Sequence, residues 1–318
     1  MIDGAWRLYW SAVKRRELAR ATGFWSGLDL APRQRRLEAA TLRAIDRFRK
    51  RGDGRRTPDF VIIGMPKSAT SWLRAMLDQH PGIVTVRGEL EFFAQRLEMG
   101  LDRYLAHFEN VASRPGSGER DRLLIGEKSA STAAMDVDRI RMMQRLMPDA
   151  RLVILLRDPV ERHWAHAKRF FSKKRFGKRG FDLSAVDRTD FDAFFAAAKR
   201  FGEYSAILKR WWSVFGRESL LVLFQEDIAS DPDAALLRTI AHVGGEPALF
   251  PEEGLPHRAV RNRGPELAMP ADVEAQLMEM FAGEYSKLES MIGPLPPSWR
   301  RPDAVRHGAV PPTQRRTG

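Results

Sequence analysis

The chain contains no cysteine. Disulfides, thiolate metal sites and cysteine nucleophiles are therefore excluded. Its seven histidines are scattered without a metal-ligand spacing such as His-Glu-x-x-His. No stretch approaches the roughly 18 uninterrupted apolar residues that a membrane-spanning helix needs. The N-terminus does not read as a signal peptide, because the apolar stretch from Trp6 to Val13 is short and runs into Lys14, Arg15 and Arg16. These features predict a cytoplasmic protein. There is no internal repeat.

What is present is ordinary in bulk and biased in charge. The 318 residues are 43% hydrophobic and 30% charged, as in a soluble globular protein. Lys and Arg outnumber Asp and Glu by 53 to 41, a net charge of +12. Such an excess points to an anionic partner (nucleotide, acidic or sulfated sugar, anionic lipid, acidic carrier or nucleic acid) or simply to a solubilising surface.

Four short apolar runs read as strands buried on both faces of a parallel sheet: Asp59–Gly64, Leu123–Gly126, Leu152–Leu156 and Leu220–Phe224. Helical patterns lie between them, at Ser71–Asp78, Val137–Met147, Tyr204–Phe215 and Pro232–His242. The alternation predicts an α/β fold with a central, mostly parallel sheet flanked by helices in three layers. Residues 1–56 read as a basic helical N-terminal extension, 57–300 as the main domain and 301–318 as a disordered tail. The Pro- and Arg-rich stretch from Pro294 onward is expected to be poorly ordered.

The segment from Val61 to Leu73, V-I-I-G-M-P-K-S-A-T-S-W-L, has the form of a strand, a tight loop and a helix start. Backbone N–H groups at such a helix start, with the Lys67 charge and the Thr70 and Ser71 hydroxyls, form a phosphate cradle. It is not a Walker A loop: Lys67-Ser68 would suit the end of that motif, but its two glycine positions hold Val61 and Pro66. A second segment, Arg151 to Arg162, is a buried strand closed by Arg157-Asp158-Pro159. An arginine at the carboxyl end of such a strand points into the ligand crevice of an open α/β sheet, and its planar fork suits a phosphate.

These two segments resemble the nucleotide motifs of sulfotransferases that use 3′-phosphoadenosine 5′-phosphosulfate (PAPS). Lys67 to Leu73 is similar to the family's 5′-phosphosulfate loop, K-x-G-T-[ST]-x-L, except that Ala69 replaces the usual glycine. The extra methyl is tolerable there if φ is negative. Arg157-Asp158-Pro159-Val160-Glu161-Arg162 is similar to the 3′-phosphate motif R-[DN]-P-x-[ED]-R, with Ala165 where that motif carries a serine, next to His166. The motif spacing is most similar to that of the heparan sulfate and other carbohydrate sulfotransferases.

The resemblance implies a P-loop-like fold and roles for particular residues. Lys67 would touch the bridging oxygen between phosphate and sulfate, and Ser68, Ala69, Thr70, Ser71 and Trp72 would hold the 5′-phosphate. Arg157 and the Ala165 position would hold the 3′-phosphate, with Arg261 and Asn262 closing over it from a basic Gly/Pro-rich loop. After His80-Pro81, Glu89-Leu90-Glu91-Phe92-Phe93 is similar to the Glu-x-x-Phe-Phe loop whose first glutamate is the general base in heparan sulfate N- and O-sulfotransferases; Glu89 is the matching residue, and Glu91 stands where the family often has His or Gln. Glu127-Lys128 matches a Glu-Lys pair whose lysine lies near sulfate and acceptor. Sulfuryl transfer by in-line displacement needs a base for the acceptor proton and cations for the developing charge. Glu89, Lys67 and Lys128 would supply these without a metal, leaving adenosine 3′,5′-bisphosphate as product.

The acceptor is read less directly. Lys168 to Arg179 carries seven basic residues and three phenylalanines, and reads either as an anion-binding segment for an acidic glycan or carrier domain or as a solvated loop. A glycan or glycolipid hydroxyl or amine is expected, with a carrier-bound or small-molecule hydroxyl as the alternative. A P-loop kinase would need the absent glycines. A nucleic-acid-binding protein would explain the charge but not the spacing of Lys67, Glu89 and Arg157, so no nucleic acid is expected. Trp6, Tyr9, Trp10 and Val13 form one helical face ahead of Lys14–Arg16, which suits either a membrane surface or packing on the main domain.

Overall fold

A computed structural model describes residues 31–52, 54–112, 123–175, 188–250 and 267–299, without the side chains of 31, 111–112 and 172–175. Five strands form one fully parallel sheet among the described residues: β1 (Phe60–Gly64), β2 (Ile83–Thr85), β3 (Leu124–Lys128), β4 (Arg151–Leu156) and β5 (Leu220–Phe224), in the spatial order β2-β3-β1-β4-β5. Four match the predicted runs. The three-residue β2 is too short to show periodicity and is not visible in the sequence.

The apolar runs are continuous because both faces of the sheet are covered. Val61, Ile63, Leu152, Ile154 and Leu156 enter one core with Ile45, Tyr104 and Trp211. Phe60, Ile62, Val153, Leu155 and Leu223 enter the other with Trp72, Leu73 and Leu236. Successive side chains of one strand thus feed opposite layers. At roughly 1.5–3 kcal/mol per fully buried large side chain, this two-sided burial is the main force holding the sheet. Gly126 is required within it: a Cβ there would lie 2.2 Å from the Phe60 ring.

The helices that cover the sheet follow the alternation. On one side are α1 (Ala31–Arg51), α4 (Leu101–Ala112), α5 (Val137–Leu146) and α8 (Tyr204–Phe215), whose buried residues belong to the larger core. On the other are α2 (Thr70–Leu77) and α10 (Pro232–Val243). Asp231 caps α10 by accepting from the Ala234 N–H at 2.9 Å, with Pro232 in the first turn. α3 (Phe92–Gln95) and α9 (Gln225–Ser230) are short. α6 (Pro159–Arg175), α7 (Arg188–Ala198) and α11 (Ala271–Phe281) enclose a third cluster around Trp164, Phe191 and Phe194, and α12 (Glu284–Ile292) follows.

One expectation concerning the chain ends is corrected by the structure. Pro294 to Trp299 is ordered, against the composition-based reading: Leu295 and Trp299 are buried, and the Trp299 indole N–H donates to Glu226 Oε1 at 2.8 Å. Apolar anchors outweigh the local proline content. Residues 1–30 and 300–318, Arg261, Asn262 and the basic segment beyond Arg175 lie outside the described residues. Among the described residues no helix is long and apolar enough to cross a membrane.

Candidate active site

Four parallel strands deliver one candidate residue each to the carboxyl edge of the sheet. Glu89 lies after β2, Lys128 ends β3, Lys67 follows β1 and Arg157 follows β4. Because the strand order is β2-β3-β1-β4, the four are laid out as Glu89, Lys128, Lys67, Arg157 across the crevice where open α/β sheets bind ligands.

The loop after β1 is tightly wound. Lys67 (φ 73°) and Ala69 (φ 63°) both adopt left-handed backbone. With Glu91 (φ 53°), they are the non-glycine residues with positive φ among those described, and all three lie in the candidate site. For alanine this conformation costs about 1–2 kcal/mol. The condition under which the Ala69 methyl would be free of strain, a negative φ, is therefore not met. Ala69 stands at the N-cap of α2 with no side-chain cap. The Ser68 hydroxyl is fully buried and has no hydrogen-bond partner. A buried, unsatisfied donor beside a helix N-terminus fits an anionic oxygen. Thr70 and Trp72 are buried, whereas Ser71 is half-buried and its Oγ accepts from Lys128 Nζ at 3.2 Å. Gly64 lets the end of β1 approach the segment after β3, since a Cβ there would sit 2.7 Å from Ala133 Cβ.

Lys128 is buried and pairs with Glu89 Oε1 at 2.5 Å; the Glu89 side chain is 39% exposed. The Ala130 N–H donates to Glu89 Oε2 at 3.2 Å. Burial works against ionisation of Glu89, but the Lys128 charge and hydrogen bonds from Glu91, Lys128 and Ala130 outweigh it, so the carboxyl titrates below its usual range. Glu91 is buried and pushed up to about 7, first by burial and then by its hydrogen bond to Glu89. Glu127, fully enclosed in β3, is pushed up to about 8, chiefly by burial. It accepts from Tyr104 OH at 3.1 Å.

At the other end, Arg157 reaches back to the first loop, its Nη1 lying 3.5 Å from the Lys67 carbonyl oxygen. Tyr204 OH donates to the Arg157 carbonyl at 2.8 Å. Asp158 caps α6 through the N–H groups of Val160 and Glu161 at 2.9 and 3.0 Å. Arg162 is fully buried against His163 and Phe201. Ala165 is half-buried on the exit turn of the motif. Next to it, burial and then the charges of Arg162 and Lys67 hold the His166 imidazole well below its ordinary value, and its Nδ1 has no partner.

The sulfotransferase domain family matches residues 57–253, from just before β1 to beyond α10. The chain belongs to the sulfotransferase family. It is 34% identical over 106 residues to the membrane-associated sulfotransferase kil1 of Dictyostelium discoideum, covering 33% of this chain and 21% of that one. It is 26% identical over 202 residues to human heparan sulfate glucosamine 3-O-sulfotransferase 3B1, covering 63% and 49% respectively. The chain thus spans about a fifth to a half of the length of these curated relatives. Among solved structures, a sulfotransferase from Alicyclobacillus acidocaldarius superposes with a TM-score of 0.59 at 24% identity, over 77% of this chain and all of that one, which establishes the shared fold.

Within this sulfotransferase some contributors to the site were not singled out from sequence. Ser129 and Ser131 bind Glu91, Tyr104 binds Glu127, and Arg139 donates to the carbonyls of Phe93 and Ala94 at 2.9 and 2.7 Å while pairing with Glu38 of α1. Their local sequence does not set them apart: Arg139 stands among Asp138 and Arg141, and Tyr104 next to Arg103. Trp211 is core, its N–H donating to the Ala133 carbonyl at 2.9 Å. His80 is structural: its Nδ1 accepts from the Gly82 N–H at 3.0 Å and its Nε2 lies 2.9 Å from the Glu246 carbonyl.

Proposed function

We propose that this sulfotransferase moves the sulfuryl group of PAPS to a hydroxyl or amine on a glycan or glycolipid, with Glu89 as general base. The observation that carries this reading is the order Glu89, Lys128, Lys67, Arg157 along one edge of the sheet. It sets a carboxylate and a buried lysine beside a phosphate loop, with an arginine beyond it. The residues fit the donor: the unsatisfied Ser68 hydroxyl, the α2 N-terminus and Lys67 suit its 5′-phosphosulfate, and Arg157 suits its 3′-phosphate. PAPS supplies an activated sulfuryl group and leaves as adenosine 3′,5′-bisphosphate.

The chain's own residues then have distinct tasks. Glu89, ionised and partly exposed, takes the acceptor proton. Lys128 and Lys67 place positive charge where negative charge develops. Ser71 holds the Lys128 ammonium toward the loop. Ser68 to Trp72 and Arg157 orient the nucleotide; Ala165 leaves the 3′-phosphate without a hydroxyl donor at that position, and Arg261 and Asn262 remain assigned to it by resemblance alone. The heparan sulfate relative supports an anionic or carbohydrate acceptor.

A working place at the cytoplasmic membrane surface is part of the proposal, supported by the membrane-associated relative and by the Trp6, Tyr9, Trp10 and Val13 pattern. Nucleic acid is not a partner in this reading. Thermal shift discriminates the classes: adenosine 3′,5′-bisphosphate should raise Tm, and ATP with Mg or an oligonucleotide should not. Stabilisation by the oligonucleotide alone would overturn the proposal.

A further inference from the structure

We infer that Glu91 is a positioning residue, which fixes the Glu89 carboxylate by a hydrogen bond from a carboxyl clamped between β3 and α3. The inference rests on the reading of Glu89 as the base and adds a second carboxyl to it.

Glu91 is held at both ends. Its backbone is left-handed, at φ 53° and ψ 27°, and its N–H donates to Ser129 Oγ at 3.0 Å. Its carboxyl accepts from the Ser131 hydroxyl and, at 3.4 Å, from the Ser131 N–H. Gln95 Nε2 donates to the same Ser131 Oγ at 2.9 Å, which directs the Ser131 proton to Glu91. Glu91 is only 9% exposed; Glu89 Oε2 accepts from the Ala130 N–H at 3.2 Å and Glu91 Oε1 from the next N–H, that of Ser131, which sets the two carboxyls side by side within hydrogen-bonding reach.

Two carboxyl groups share a hydrogen bond only if one of them carries a proton. Glu89 faces Lys128 Nζ and the Ala130 N–H and is more exposed. The charged or titratable groups acting on Glu91 are Glu89 on its own loop and Glu127 on β3, with Tyr104 of α4 beyond Glu127. None of these is a cation. The proton therefore belongs to Glu91, in keeping with its rise to about 7 and the lowering of Glu89. Glu127, raised to about 8, is neutral over the same range. Between the low Glu89 midpoint and about pH 7 the three glutamates together carry one negative charge, on Glu89 and opposite Lys128. Above it Glu91 ionises, the shared proton is lost and the two carboxylates repel.

The test is a titration of the full chain labelled with carboxyl-13C glutamate, with Glu89→Gln and Glu91→Gln identifying the two signals. Glu91 is expected to titrate near 7. Glu91→Met, which keeps bulk but removes the donor, should raise the Glu89 midpoint by about one unit. Glu91→Gln, which still donates through its amide, should leave that midpoint near the wild-type value. A Glu89 midpoint unmoved in folded Glu91→Met, or moved equally by both variants, overturns the inference. If Glu91→Met does not fold, a wild-type Glu91 signal titrating in the ordinary carboxyl range does so instead. The titration involves no turnover, so failure of the base assignment shows separately, as near-normal turnover in Glu89→Gln.

Discussion

Lys128 Nζ and Glu89 Oε1 lie 2.5 Å apart, a buried ammonium against a carboxylate that still reaches solvent. The pair joins the end of β3 to the loop after β2 and places the proposed base beside a cation. Glu89→Gln keeps an oxygen to accept from Lys128 but removes basicity. Turnover should fall by roughly 10²-fold or more. Binding of adenosine 3′,5′-bisphosphate, measured by calorimetry, should be retained. Near-normal turnover would remove Glu89 from its role.

The enclosed Glu127 makes stability depend on pH. Its folded value is raised from 4.5 to about 8, so between these values the folded chain holds a proton that the unfolded chain has released. This contribution is complete below about 4.5 and is lost as pH rises toward 8. Glu127→Gln keeps an acceptor for Tyr104 and cannot ionise. It should flatten the fall in stability between pH 5 and pH 8 in urea titrations. An equally steep fall in the variant would contradict the assignment.

Ala69 sits in a left-handed conformation that suits glycine better than alanine. Ala69→Gly should raise stability by up to about 1 kcal/mol, as relief of strain exceeds the added chain entropy. Chemical denaturation measures the difference; a destabilised variant would show that the methyl contributes packing that outweighs the strain.

The Ala165 position tests how the 3′-phosphate is held. Ala165→Ser should tighten binding of adenosine 3′,5′-bisphosphate by up to about tenfold if its hydroxyl reaches the phosphate. Arg157→Ala should weaken it severely, because no serine shares the load. Unchanged binding in Arg157→Ala would show that the second motif does not face the nucleotide.

Much of this arrangement is legible in the chain itself. Strands buried on both faces leave uninterrupted apolar runs, so β1, β3, β4 and β5 and the residues at their carboxyl ends could be read directly. β2 could not, with three residues and no period. The backbone sign at Ala69 was open because a loop's φ depends on its closure around Lys67 and Ser68. The clamp on Glu91 was invisible for a different reason: Ser131 lies 40 residues away, and only the pairing of β3 with its neighbours brings them together. Trp299 likewise anchors a proline-rich end through Glu226, a partner 73 residues distant.

The most direct measurement is transfer of radiolabelled sulfate from PAPS to a panel of desulfated glycosaminoglycan oligosaccharides, glycolipids and whole-cell extracts. Label should enter at least one acceptor with stoichiometric release of adenosine 3′,5′-bisphosphate, and that incorporation should be lost in Glu89→Gln. Failure to label any acceptor, together with no binding of adenosine 3′,5′-bisphosphate by the folded protein, would contradict the account.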